Sequence, residues 1–272
     1  MRASLSSSAI GAFFAVVLVA GSGAAADTLR MGGSGSAIGT LKRLGAAFAA
    51  GSATKVDVVP SLGSTGGIRA VSDGVLDIGA SARLLKPEEA ATGLIQVLVA
   101  RSPFGLVTSH RSPNGLKSAE IAELFKSEKS RWADGAPMRI ILRPKGDSDT
   151  ALLGAIFPGM SVALEQARRR ADVPLAANDQ DNADLAERMA GSLTGFPLAQ
   201  IMTEKRGLRF VAIDGVEPTF ENFEKGTYPY AWTMYFVFPA TKSPAAERFM
   251  AFVRSPQGQN LLRETGNLPN PN

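Results

Sequence analysis

Short apolar segments alternate with helix-spaced amphipathic ones from Asp27 onward, and this predicts an α/β fold. The 246 residues left after an N-terminal leader are long enough to predict two lobes rather than one. A third observation places a cleft. Three segments rich in glycine and hydroxyl residues sit where a strand runs into a helix, and open α/β sheets take ligands at the carboxyl ends of their strands.

Residues 28–31 read as a strand entering the first of these segments, Gly32-Gly33-Ser34-Gly35-Ser36-Ala37. Leu41, Leu44, Ala47 and Phe48 then recur at helical spacing. The alternating strand 55–59 delivers the second segment, Gly63-Ser64-Thr65-Gly66-Gly67, followed by a helix face of Ile68, Val71 and Val75 and a buried strand over 76–80. Segment 95–107 contains Pro103 and reads as a strand that bends as it leaves the first lobe. A compact helix over 119–125 and a turn around 132–137 follow. Strand 138–142 presents Arg143 and the third segment, Gly146-Asp147-Ser148-Asp149-Thr150. Helices are predicted over 149–157, 162–170 and 182–189, and a strand over 208–213. The strand 232–238 returns to the first lobe, and closing helices cover 245–252 and 257–264.

Arg2, the apolar run 9–20 and Ala24-Ala25-Ala26 before Asp27 read as a signal peptide, residues 1–26, cleaved on export to the periplasm. The run is too short to span a membrane, which takes roughly 20 residues. The chain has no cysteine and one histidine, so lipid attachment at a cysteine and zinc spacing are both excluded. The formal charge of +4 falls to +3 with the loss of Arg2. Basic residues are scattered, and the one cluster, Arg168-Arg169-Arg170, reads as a solvated helix end, so no nucleic-acid partner is expected. No cofactor is expected. There is neither a Gly-x-Ser-x-Gly elbow nor a phosphate-loop Gly-Lys-Ser/Thr.

Each glycine/hydroxyl segment alone would be an ordinary turn. Three of them before helices, with an arginine on the last, point to a small-anion site. Helix N-termini offer unpaired N–H groups and the positive end of a dipole.

At these residues the chain resembles the phosphate-binding proteins of ABC transporters, within the type II periplasmic binding-protein fold. The resemblance rests on Gly63-Ser64-Thr65-Gly66-Gly67-Ile68, Val75-Leu76-Asp77-Ile78-Gly79-Ala80-Ser81, Leu116-Lys117-Ser118-Ala119-Glu120-Ile121 with Trp132, and Gly215-Val216-Glu217-Pro218-Thr219 through Pro229. It implies a two-lobed α/β fold with a hinge and an interlobe ligand cleft. The lobes would be 27–106 with 232–272, and 107–231. It also implies a monomer that is not an enzyme, holds phosphate and serves an inner-membrane ABC permease. The implied ligand set is Ala37 and Ile38 in the first loop, Ser64 in the second, and Arg143, Ser148 and Thr150 in the third; Ser36, Thr65, Ser81 and Asp149 beside them are further ligand candidates. Arginine suits the task because its planar donors match two oxygens of one anion. Truncating Arg143 is therefore expected to weaken binding and leave the fold intact.

Three departures from the family pattern bear on the ligand. Ala37 stands where a hydroxyl residue is usual, Ala82 where an acidic acceptor is usual, and the third loop is one residue longer with Asp147 and Asp149 added. Capping is the simpler role for both aspartates; alternatively Asp149 faces the ligand and replaces the acceptor lost at Ala82. Sulfate, molybdate, tungstate and a small organic anion stay open as alternatives to phosphate, and so does an envelope phosphoesterase. His110 reads as a loop residue, and Arg83 as a surface partner of Glu88 or Glu89.

Overall fold

The computed structural model describes residues 27–270, so the predicted leader lies outside the described residues. The chain opens with β1 (Thr28–Gly33), α1 (Gly35–Ala50), β2 (Lys55–Val58), α2 (Gly63–Ser72), β3 (Ile78–Ser81), α3 (Pro87–Ala90) and the long β4 (Ile95–Thr108). The middle supplies α4 (Ile121–Lys126), β5 (Arg139–Ile140), α5 (Ser148–Ile156), α6 (Met160–Ala167), α7 (Asp179–Arg188), β6 (Ser192–Pro197), α8 (Leu198–Glu204), β7 (Arg209–Phe210) and α9 (Phe220–Glu224). The chain closes with β8 (Ala231–Phe238), α10 (Pro244–Arg254), α11 (Pro256–Glu264) and β9 (Leu268–Pro269).

The strand order is β2-β1-β3-β8-β4-β6-β5, and one strand joins its two halves. From Ile95 to Pro103, β4 pairs antiparallel with β8, whereas from Phe104 to Val107 it pairs with β6. The bend anticipated at Pro103 is this change of partner. Tyr228 fixes the crossing, because its buried hydroxyl donates to the Phe104 carbonyl at 2.8 Å. The fold is thus α/β and two-lobed, with a first half built on parallel β1–β2 and β1–β3 pairs and a second on parallel β5–β6.

Helical spacing puts Leu41, Leu44 and Phe48 on the inner face of α1, against Leu29 and Met31 of β1. Phe48 meets Phe249 of α10 edge-on, with ring centroids 5.3 Å apart. In the second half Ile121 and Phe125 of α4 pack with Met160 and Ala163 of α6. Trp132 is buried beside them and donates through its indole N–H to the Gly191 carbonyl at 3.1 Å.

Several boundaries differ from the sequence reading. Helix α7 starts at Asp179 rather than 182, because the Asn178 side chain caps it by accepting from the Asp181 N–H. Helix α6 stops at Ala167, short of the three arginines. The strand expected over 208–213 pairs only at Arg209–Phe210. Its partner β4 ends at Thr108, and Ile213 bridges instead to Leu116 and Val216.

Where β1, α2 and β3 meet, the backbones touch. Gly33 has φ +131°, and a Cβ there would lie 2.1 Å from the Ala80 carbonyl oxygen. Gly67 of α2 is equally tight, since its Cβ would sit 2.5 Å from the Gly33 Cα. Gly33→Ala is expected to cost about 3 kcal/mol from strain and overpacking combined. Thermal melting reads this directly, and a loss under about 1 kcal/mol would mean that β3 can yield.

Candidate functional site

All three glycine/hydroxyl segments end strands and start helices, at β1–α1, β2–α2 and β5–α5. Two of them meet at Arg143. This residue follows β5 and is 6% exposed. Its Nη1 donates to Asp179 and, at 3.3 Å, to Asp149, while its Nη2 donates to Asp147 at 2.5 Å. Its Nε is buried with no hydrogen-bond partner. From the first lobe, Ser36 in the first turn of α1 reaches the same carboxylates, with Oγ 2.9 Å from Asp149 Oδ2 and 2.6 Å from Asp179 Oδ1. Trp232, at the start of β8, donates its indole N–H to Asp149 Oδ1 at 3.0 Å.

The two added aspartates have different tasks. Asp147 is the N-cap of α5, and its Oδ1 accepts from the backbone N–H groups of Asp149 and Thr150. Those are the N–H groups a helix N-terminus would otherwise present to an anion. Asp149 is not a cap. Its carboxyl is buried and turned onto Arg143, Ser36 and Trp232, correcting the capping reading for this residue. Capping needs a side chain at the residue before the helix, and α5 starts one residue earlier than predicted, at Ser148, so Asp147 has that place.

One guanidinium facing three carboxylates leaves the cluster acidic if all ionise. Burial, then the neighbouring Asp179 charge, pushes the Asp149 carboxyl up to about 8 against the pull of Arg143. Asp147 is raised too, first by burial. Burial opposes the charge on Arg143, but Asp179, Asp149 and Asp147 outweigh it and hold the guanidinium firmly protonated. Among the described residues no group of three or more His, Cys, Asp or Glu side chains is arranged to hold a metal ion.

The remaining expected residues lie around this cluster. Ala37 and Ile38 are buried in the first turns of α1, and the Ala37 N–H is bonded to the Ser34 carbonyl. Ser64, Thr65 and Ser148 line an adjacent cavity of about 200 Å³ together with Asp147 and Pro144. Ser64 Oγ accepts from the Ala82 N–H at 2.9 Å, and Thr65 Oγ1 accepts from Arg83 at 3.1 Å. Ser81 turns its hydroxyl onto the Arg83 carbonyl at 2.7 Å and is not brought to Arg143. Thr150 contributes its N–H to the Asp147 cap. Ile38 lines a second, larger cavity of about 640 Å³ with residues of both lobes, among them Ser61, Gln180 and Arg206.

Arg83 forms a two-pronged pair with Glu89, both contacts at 2.7 Å, and this bond holds the Glu89 carboxyl below its usual range. His110 stacks on Trp132 and pairs with Asp134 at 2.9 Å, lining a separate cavity.

Sequence reasoning missed Asp179, Gln200 and Trp232 as members of the site. The acidic first turn after Asn178 marked a helix start, but nothing in it separates buried Asp179 from exposed Asp181.

Residues 18–257 match the PBP superfamily domain. The chain belongs to the PBP superfamily. No curated protein matches it. Among solved structures, it is similar to a protein from Clostridium perfringens assigned as a phosphate ABC transporter substrate-binding protein and containing bound phosphate. The identity is 20% over 90% of this chain and 100% of that one, with a TM-score of 0.78. A periplasmic phosphate-binding protein, PfluDING with bound phosphate, matches at 14% identity over 90% and 91% of the two chains, with a TM-score of 0.70. The periplasmic molybdate-binding protein of Azotobacter vinelandii matches at 16% identity over 88% and 98%, with a TM-score of 0.62. At these identities the likeness establishes the two-lobed α/β fold.

Proposed function

We propose that this member of the superfamily is a periplasmic solute-binding protein that captures a small oxyanion, phosphate before others, and delivers it to an ABC permease. The observation that carries the reading is the buried guanidinium of Arg143, held by Asp149 of α5 and Asp179 of α7, the two carboxylates that Ser36 of α1 reaches from the other lobe. Two similar structures hold phosphate, and a third is named for molybdate. The lobes are residues 27–106 with 232–272, and 107–231, hinged where β4 and β8 cross. Residues 1–26 are removed on export, and the mature chain acts as a monomer without catalysis.

Arg143 and Ser36 would hold the anion, with Asp149 facing it. Ser64, Thr65 and Ser148 of the adjacent cavity, the backbone of Ala37 and Ile38, and Thr150 would complete the shell. Ser81 would support that shell through its bond to Arg83. Titration calorimetry of the mature protein with phosphate, sulfate, molybdate, tungstate and arsenate is expected to show one-to-one binding, tightest for phosphate. Neither heat nor a thermal shift with any of the five would remove the oxyanion reading.

A further inference from the structure

Hydrogen-bond bookkeeping at Ser36 does not close unless an aspartate carries a proton. Ser36 Oγ has one hydrogen and faces three acceptors: Asp179 Oδ1 at 2.6 Å, Asp149 Oδ2 at 2.9 Å and Gln200 Oε1 at 3.1 Å. Turning the Gln200 amide over would not help. Its Nε2 donates to the Asp179 carbonyl and to Glu204 Oε1, so a flip would set an oxygen against both. Arg143 Nη1 leans to Asp179 and is 3.3 Å from Asp149. The arrangement that satisfies both aspartate contacts, and leaves only the longest one, to Gln200, without a hydrogen, has Asp179 accepting from Arg143 and Ser36. Asp149 is then protonated, donating to Ser36 Oγ and accepting from Trp232 through Oδ1.

We propose that Asp149 and Asp179 hold one proton between them through Ser36, and that an anion gains Arg143 only while that proton is in place. The second half of this inference rests on the oxyanion reading above; the first does not. The chain's own carboxylates already hold the donors an anion needs. Asp179 makes the shortest contacts to both Arg143 and Ser36, so it is the competitor an entering anion must displace. An anion placed between ionised aspartates would meet acceptors only, whereas protonated ones donate to it. The charged surroundings favour the same direction. Asp147 and Asp149 come from α5, Asp179 from α7, and Glu204 of α8 stands behind Gln200, balanced by Arg206. Among the described residues, Arg143 is the one cation paired with all three aspartates. Burial and the Asp179 charge push Asp149 up to about 8, in line with a proton retained near neutral pH.

The test uses sulfate and phosphate titrations at pH 6, 7, 8 and 9, on wild type and on Asp179→Asn. Sulfate carries no proton in this range, so its pH dependence belongs to the protein. Affinity is expected to fall as pH rises toward and past about 8, where Asp149 releases its proton, by up to about tenfold per pH unit. Asp179→Asn should bind at least roughly tenfold tighter at pH 8, with a flatter slope, since one ionised competitor is gone. Affinity independent of pH, or a variant matching wild type in Kd and slope, overturns the coupling.

Carboxyl-carbon NMR of wild type labelled at aspartate reads the proton without ligand or variant folding at issue. One aspartate is expected to titrate above pH 6, and titration of every aspartate below pH 5 overturns the shared proton. Binding of neither anion at any pH would remove the oxyanion reading and the coupling with it, leaving the NMR result to decide the proton by itself.

Discussion

Arg143→Ala is expected to destabilise the protein by about 3–5 kcal/mol at pH 8, the usual cost of stripping one partner from a buried ion pair. This differs from the sequence-based expectation of weakened binding on an intact fold. The guanidinium is in contact with Asp147, Asp149 and Asp179, all buried or nearly so, and its removal leaves their charges unneutralised in a poorly solvated place. The loss should shrink at pH 5.5, where the aspartates can answer by taking up protons. Arg143→Lys should fall between, because a single ammonium cannot send separate forks to separate aspartates. Scanning calorimetry at the two pH values measures all of this. A loss below about 1 kcal/mol at pH 8, the level of an exposed pair, would show that Arg143 is not what holds the aspartates in place. Oxyanion binding should vanish in the same variant wherever it remains folded.

The sequence made the strand-to-helix junctions legible because glycine and hydroxyl residues at those points have local causes. Gly33 must be a glycine where φ is +131°, and Gly63 at φ +67° has the left-handed backbone that glycine favours. The bend at Pro103 was legible for the same reason, since proline cannot donate to a ladder. Arg143 stood out by its spacing from Ser148 and Thr150. What surrounds Arg143 was not legible, because it is assembled from separations of 36 and 113 residues that only the closed fold brings together. Asp179 looks in sequence like any acidic residue in a first helical turn. Trp232 was read as the first residue of a returning strand, not as a site residue, yet the β4–β8 register sets it opposite Ser102 and delivers its indole to Asp149. The capping roles of Asp147 and Asp149 were separated by a one-residue difference in where α5 begins, finer than periodicity can resolve.

The stability of wild type is expected to fall as pH rises from about 5 to 8, with Asp149 as the cause. An ordinary aspartate ionises near 3.9 in the unfolded chain, whereas in the folded protein burial and Asp179 lift this carboxyl to about 8. Between those values the folded state holds a proton that the unfolded state has released, so each step up in pH favours unfolding. The contribution is fully present below about 4 and lost by the time pH passes about 8, at a rate of up to about 1.4 kcal/mol per unit. Asp147, also raised, adds a term of the same sign. The carboxylates held low by their partners, Glu89 and Asp172 among them, act with the opposite sign. Their stabilisation is lost only as pH falls through the acid range, so they are constant over this window. Asp149→Asn should flatten the slope and leave the variant more stable than wild type at pH 8.5. Its Oδ1 can still accept from Trp232 and its Nδ2 can still donate to Ser36, at a modest cost from facing Arg143 Nη1. Melting temperatures of both proteins across pH 5–9 decide the matter. Parallel curves would mean that Asp149 is ionised throughout, in which case Arg143 and Ser36 hold a carboxylate where the bookkeeping at Ser36 calls for an acid.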